Sequence, residues 1–318
     1  MIFLYILIFL ISCGLLALAG KYLITALVKV AKVLCWKEFV VAFFIMAFAG
    51  SLPNLFVGVS AALRGIPELS FGDVMGGNLA DLTLVLALAA LFAKGIPAAS
   101  KTIQTSSIFT LVIAVLPLLL VLDGKLGRID GVILIMFFAM YIFWLFSKDE
   151  RFQKVYDAPP CSLTKQMKEL SRSLGVVIVG ILLILLAAQG IVVSASFFAD
   201  YFALPLALIG ILIVGLGNCL PEMYFSIMSA RKGEGWLILG DLMGSVIVAS
   251  TLVLGIVALI SPIQIADFSP FAIARIFLVL AALSFLTFVR TGQKITRKEA
   301  VFLLAIYIVF LITEILVK

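Results

Sequence analysis

The sequence predicts an all-α integral membrane protein whose ten transmembrane helices form two inverted five-helix repeats. Three observations lead there. Of the 318 residues, 64% are hydrophobic and 13% are charged, whereas an ordinary soluble domain carries about 25% charged residues. Apolar segments of roughly 20 residues recur along the chain, each long enough to cross a hydrocarbon core of about 30 Å as a helix. The chain also aligns with itself at an offset of 168 residues. Strand-type alternation is absent, which argues against a transmembrane barrel. Cys13, Cys35, Cys161 and Cys219 have no metal-type spacing, and Cys13 and Cys219 fall within spans, so no disulfide framework is expected. The absence of histidine excludes HExxH metalloproteases and Ser-His hydrolases.

The spans are read at 2–19, 38–63, 69–93, 102–122, 129–147, 173–193, 201–230, 236–261, 270–289 and 298–317. The first lacks the basic flank and cleavage site of a removable signal peptide. With the N-terminus outside, 18 of the 23 basic residues fall on the cytoplasmic side, and Arg64, Lys125, Arg128, Arg275 and Lys318 fall on the other. Cytoplasmic loops carry the excess of Lys and Arg, so both termini of this multi-pass cell-membrane protein are expected outside. The net charge of +6 is then a signal of topology, and no nucleic-acid partner is expected.

The longest polar segment, SKDERFQKVYDAPPCSLTKQMKELSRS, separates the fifth and sixth spans. Its mixed charge and Pro159-Pro160 read as a solvated linker. The expected organisation is a first repeat at 1–147 (core motif about 47–91), a cytoplasmic linker at 148–172, and a second repeat at 173–318 (core motif about 215–259).

The 168-residue offset superimposes Ser51-Leu52-Pro53-Asn54 on Cys219-Leu220-Pro221-Glu222, Gly72-Asp73-Val74-Met75-Gly76 on Gly240-Asp241-Leu242-Met243-Gly244, and Thr83-Leu84-Val85-Leu86 on Thr251-Leu252-Val253-Leu254. Between 52–91 and 220–259, 15 of 40 positions are identical, which marks an internal repeat. Each half holds an odd number of spans, so the second enters the membrane from the opposite side. Inverted repeats with interrupted helices at matching positions are the signature of secondary transporters with a midplane site.

Asp81 and Glu222 are the deepest ionisable residues of the repeated core, and no lysine or arginine lies at comparable depth to pair with them. A charge at the bilayer centre costs about 2.5–3.5 kcal/mol on insertion scales, so it persists where it has a partner or faces water. Cations are the natural partners. Oxygen ligands are at hand in Ser51, Asn54, Asn78, Asn218 and Ser245, with further hydroxyls at Thr83, Ser250 and Thr251. Pro53 and Pro221 each free a backbone carbonyl that can coordinate an ion. Hard cations such as calcium take six to eight such oxygens. Two carboxylates neutralise one divalent ion, and sodium ions or protons can replace it, which is the arithmetic of an antiporter. Asn78 and Asp81, like Ser51 and Asn54, are three residues apart and share a helix face.

Other repeat residues have plainer readings. The glycines at 72, 76, 77, 240 and 244 allow close helix packing. Asp73 and Asp241 are expected to cap helix N-termini, and Cys219 to be a small interior residue. Glu314 is expected to reach the interface and Arg275 to snorkel outward.

With these motifs in place, the chain resembles the cation/calcium exchanger superfamily, and most of all its prokaryotic sodium/calcium exchangers. That family carries a G-[TS]-S-[LP]-P-E-type break and a G-S-N-x-x-[ND] segment in each repeat. The matching residues are Gly50-Ser51-Leu52-Pro53-Asn54 with Gly76-Gly77-Asn78-Leu79-Ala80-Asp81, and Gly217-Asn218-Cys219-Leu220-Pro221-Glu222 with Gly244-Ser245-Val246-Ile247-Val248-Ala249. The resemblance implies a cation antiporter in which the second, third, seventh and eighth spans form the ion sites and the first and sixth slide past them. Three positions depart from the pattern: Asn54 replaces the first glutamate, Ala249 the second Asp or Asn, and Gly77 the first serine. The two carboxylates are thus Asp81 and Glu222.

The expected function is sodium/calcium exchange that exports calcium, with Glu222 and Asp81 as charged ligands and Ser51, Asn54, Asn78, Asn218 and Ser245 as neutral ones. Neither covalent chemistry nor a cofactor is implied; the partners are calcium, sodium and membrane lipid, the oligomeric state is not read from the sequence, and a monomer is compatible with it. Exchange of calcium or another divalent cation for protons, or a degenerate channel-like or silent homologue, is the alternative. Gly72-Asp73 and Gly240-Asp241 superficially resemble the GxGD motif of intramembrane aspartyl proteases, but Ser70 and Ile238 replace its first glycine and the repeat is left unexplained.

Overall fold

The computed structural model describes residues 1–33, 50–93, 95–146, 163–233, 235–265 and 269–316. Among them, nine helices are long and apolar enough to cross a membrane: Ile2–Leu23, Pro67–Phe92, Lys101–Asp123, Arg128–Leu145, Ser171–Phe202, Leu206–Lys232, Leu237–Ile260, Phe271–Thr291 and Arg297–Leu316. The second span contributes the helix Leu52–Leu63, and residues 38–49 of its expected range lie outside the described residues. The third and eighth spans are buried nearly all round, whereas the first and fifth present most of their surface outward. The repeated motifs therefore sit at the centre.

Four expected boundaries are corrected. The first helix runs Ile2–Val33 rather than ending at 19, because Lys21 and Lys29 end the lipid-facing stretch without breaking the helix. Neither Pro nor Gly follows Gly20 before Val33. The sixth helix runs Leu163–Phe202 rather than 173–193. It starts inside the segment read as linker, of which 148–162 lie outside the described residues, since residues 163–172 contain no helix breaker. It stops where Ala203 turns to φ 53° and Pro205 becomes extended, so the seventh span begins at Leu206 rather than 201. At 1.5 Å per residue a helix of 40 residues is about 60 Å long, twice the hydrocarbon thickness.

The first and sixth helices pack along each other through Leu16, Ala19 and Leu23 against Ile184, Ala188 and Ile191. Tyr5 stacks on Phe197 at 3.8 Å. The sixth helix also meets the second: Arg64 donates to Gln189 Oε1 through Nε at 3.1 Å and Nη2 at 2.5 Å, and Gln189 Nε2 donates to Ser60 Oγ at 3.0 Å.

Four two-residue strands tie the halves together. β1 (Ile96–Pro97) pairs antiparallel with β4 (Lys294–Ile295), and β2 (Lys125–Leu126) with β3 (Ile263–Gln264). The 168-residue offset carries Ile96 onto Gln264 and Leu126 onto Lys294, so the inverted repeat exchanges one pair for the other. The loops after the third and ninth spans meet at one end, and those after the fourth and eighth at the other, as ten alternating spans require.

The tenth helix begins with a reciprocal cap. Thr296 N–H donates to Glu299 Oε2 at 2.7 Å, and Glu299 N–H to Thr296 Oγ1 at 3.4 Å, a capping box. Thr296→Ala is expected to lower stability by about 1 kcal/mol, read as a small drop in melting temperature in detergent. Further along, Ala300, Leu303, Tyr307, Phe310 and Glu314 form one buried stripe, which packs on the third span. Glu314 is therefore 3% exposed instead of reaching the interface, because helical spacing places it on the inward face one turn beyond Phe310.

Candidate cation site

Both predicted breaks have the same backbone shape. Ser51 has φ −82°, ψ −5° and Cys219 φ −78°, ψ −6°, and each precedes a helix with Pro in its first turn. Proline fits there because first-turn N–H groups have no intrahelical partner, and it leaves the Gly217 carbonyl without its usual donor at Pro221. Helical hydrogen bonding resumes at once, from Leu55 N–H to Ser51 O at 3.0 Å and from Met223 N–H to Cys219 O at 2.9 Å.

Opposite the breaks lies a feature the motifs did not announce. The third and eighth spans each loosen into a five-residue π turn, Asp81–Val85 and Ala249–Val253, at positions related by the repeat. Such turns widen a helix locally and concentrate at functional sites. The helix after the first break packs on the Ala249–Val253 turn, and the helix after the second packs on Asp81–Val85. Each repeat thus docks its break on the other repeat's π turn.

The backbones meet closely enough for this because of glycine. A Cβ on Gly72 would stand 2.1 Å from Ala207 O, and one on Gly76 2.1 Å from Ile211 O. Gly210 and Gly215 return the contact, with Cβ positions 2.5 Å from Leu69 O and 2.7 Å from Gly77 N. Gly72 and Gly76 therefore serve helix packing, as expected, between the third and seventh spans.

All seven predicted site residues are buried: Ser51, Asn54, Asn78, Asp81, Asn218, Glu222 and Ser245. Asp81 lies within hydrogen-bonding reach of Cys219 and Ser245, which joins the third, seventh and eighth spans, and it interacts electrostatically with Glu222. Asn78 Nδ2 donates to Ser250 Oγ at 2.6 Å, and the Cys219 thiol to Gly77 O at 3.4 Å. Ser51 and Asn54 stand on the second-span helix, across the packing from Ala249–Val253. The hydroxyls of Thr83 and Thr251 donate to Leu79 O and Ile247 O of their own helices.

Asp73 and Asp241 overturn the capping expectation. Each is the seventh residue of its helix, two turns from the N-terminus, and both are buried. Asn218 explains Asp73: its Nδ2 donates to Oδ1 at 2.9 Å and Oδ2 at 3.0 Å. Their strict repetition at the 168-residue offset was the available signal that they belong to the centre. Asn218→Ala would leave the Asp73 carboxylate buried without this donor, at a cost of about 1–3 kcal/mol. Lower thermal stability in detergent, restored in Asp73→Asn/Asn218→Ala, is the expected result.

Several buried oxygens in this region have no hydrogen-bond partner among the described residues: Asn54 Oδ1, Asp81 Oδ1, Asn218 Oδ1 and Glu222 Oε2. All four are acceptors, from both repeats. Among the described residues no three Cys, Asp and Glu side chains stand close enough to hold one metal ion together. A cation here would be held by amide, hydroxyl and carbonyl oxygens beside the two carboxylates.

A bundle of inverted repeats whose kinked helices meet buried carboxylates at its centre defines the class of secondary transporters. Within that class, the chain belongs to the sodium/calcium exchanger protein family, whose model matches residues 4–147 and 172–316. Inner membrane protein YrbG of Escherichia coli strain K12 is 29% identical over 269 residues, 81% of each chain. Sodium/calcium exchanger MaX1 of Methanosarcina acetivorans is 24% identical over 92% of this chain and 93% of its own. The solved structure of the sodium-calcium exchanger NCX_Mj superimposes with a TM-score of 0.69 at 24% identity, covering 97% of this chain and 98% of that one. The protein is a multi-pass membrane cation antiporter by family, a transporter rather than an enzyme.

Proposed function

We propose that the protein exchanges sodium for calcium across the cell membrane, exporting calcium by alternating access, with both termini outside. The observation that carries this reading is the set of unpartnered acceptors on Asn54, Asp81, Asn218 and Glu222. An orphaned buried acceptor costs about 1–3 kcal/mol, and two on the carboxylates with two on the amides are what a dehydrated cation satisfies. Asp81 and Glu222 balance one calcium ion, and sodium ions supply the same charge on the return. Ser51, Asn78 and Ser245 complete the neutral ligands, and the long first and sixth helices flank this core as the moving pair.

Calcium flux from proteoliposomes tests the proposal, measured against opposing sodium and proton gradients, with manganese and magnesium as competitors. The expected result is calcium movement driven by sodium and dissipated by a sodium ionophore. Flux driven by protons alone would replace the coupling ion, and the absence of any cation exchange would overturn the reading.

A further inference from the structure

The two buried aspartates of the repeat have unequal surroundings. Asp73 accepts both hydrogen bonds of the Asn218 amide. The repeat partner of Asn218 is Gly50, which has no side chain, and a Cβ built there would lie 4.0 Å from Asp241 Oδ1 with nothing nearer among the described residues. Asp241 therefore faces a notch where Asp73 faces an amide. It is 7% exposed.

What surrounds the notch points to a ligand. Asn54 is one helical turn beyond Gly50 and shares its face; its Oδ1 is buried and unpartnered. On the eighth span, Ser245 is one turn beyond Asp241 and lies within hydrogen-bonding reach of Asp81. Asp241 also interacts electrostatically with Asp81 and Glu222. The notch thus continues the central site by one turn, about 5.4 Å along the eighth helix. A buried carboxylate is retained where it is paired or holds an ion, and no lysine or arginine occurs between 236 and 261 on this span.

We infer that Asp241 binds a monovalent cation, sodium, in the notch left by Gly50, together with the Asn54 carbonyl oxygen. The calcium-binding carboxylates are then Asp81 and Glu222, and Asp241 sets the affinity for the coupling ion. This inference rests on the exchange activity proposed above.

The sodium dependence of calcium efflux from proteoliposomes holding the full chain tests it. Asp241→Asn is expected to raise the half-saturating sodium concentration about tenfold, the loss of one contact worth about 1.4 kcal/mol. The half-saturating calcium concentration, read in sodium-free calcium/calcium exchange, should change less than about twofold. Gly50→Asn restores the missing amide, its Cβ standing at ordinary contact distance from Asp241 Oδ1, and should shift sodium dependence in the same direction by capturing Asp241. If Asp241→Asn fails to fold, Gly50→Asn decides alone, since it keeps the carboxylate. Sodium dependence within about twofold of the parent in a variant that still exchanges calcium overturns the inference, as does a shift in pH dependence with sodium dependence unchanged. Loss of sodium-driven flux in the parent protein would instead overturn the proposed function.

Discussion

Glu222→Gln is expected to abolish sodium-driven calcium flux in proteoliposomes while leaving the protein folded and monodisperse. Glutamine has the same shape and keeps an acceptor at Oε1, so the seventh helix and its proline kink are undisturbed. The lost quantity is one of the two charges that balance a divalent ion. Ligand interactions with charged groups contribute about 1.5–3 kcal/mol each, so the loss corresponds to roughly tenfold to a hundredfold in calcium affinity, before any effect on conversion between states. Stability should move the other way. Glu222 is buried with Oε2 unpartnered, and a neutral amide removes an ionisable group that is costly at membrane depth. A melting temperature at or above that of the parent, with no flux, is the expected pair of results. Full flux in this variant would remove Glu222 from the site.

Gly76→Ala is expected to destabilise the fold by about 3 kcal/mol, the upper end of overpacking costs, and Gly72→Ala/Gly76→Ala to prevent accumulation of folded protein. The added methyl at Gly76 would stand 2.1 Å from Ile211 O and 2.7 Å from Ile211 C and Cα. Those atoms are backbone of a neighbouring helix and cannot rotate away as a side chain would. Relief requires separating the third and seventh spans, which also separates Asp81 from Cys219 and Asn218 from Asp73. Gly20→Ala is the control, because nothing among the described residues lies within 4 Å of its Cβ position. Thermal unfolding in detergent and size-exclusion profiles measure the difference. Equal stability of Gly76→Ala and Gly20→Ala would show that the two spans do not cross at these glycines.

Much of this site was legible because a repeat converts single residues into patterns. Pro53 with Pro221 and Asp73 with Asp241 each occur twice at one offset, and the structure buries both aspartates. Burial of Ser51, Asn54, Asn78, Asp81, Asn218, Glu222 and Ser245 followed from the same pattern and from the cost of polar groups in lipid. What escaped was pairing. Asn218 and Asp73 are 145 residues apart, and Asn78 and Ser250 172. Which amide meets which carboxylate depends on the crossing of helices from different repeats, and local spacing carries no record of that. Asp73 and Asp241 were misread as caps because nearness to a helix start was read as capping, whereas a cap acts within the first turn and each aspartate is the seventh residue of its helix. The first span was read as ending at 19 because hydropathy reports where lipid ends, while a helix continues until proline, glycine or a turn stops it.

Sequence alone determined the class of the molecule, its inverted-repeat plan and the burial of the repeat's polar residues, since membrane burial and a repeated proline break leave few alternatives. Tertiary structure decided the rest. Glycine-to-carbonyl crossings bring the third and seventh spans together, the π turns face the opposite breaks, and Asn218 satisfies Asp73 while Gly50 leaves Asp241 exposed to the site. The physical reason is that polarity and depth are properties of a residue in its own helix, whereas the distance between two oxygens is set by how closely two backbones approach.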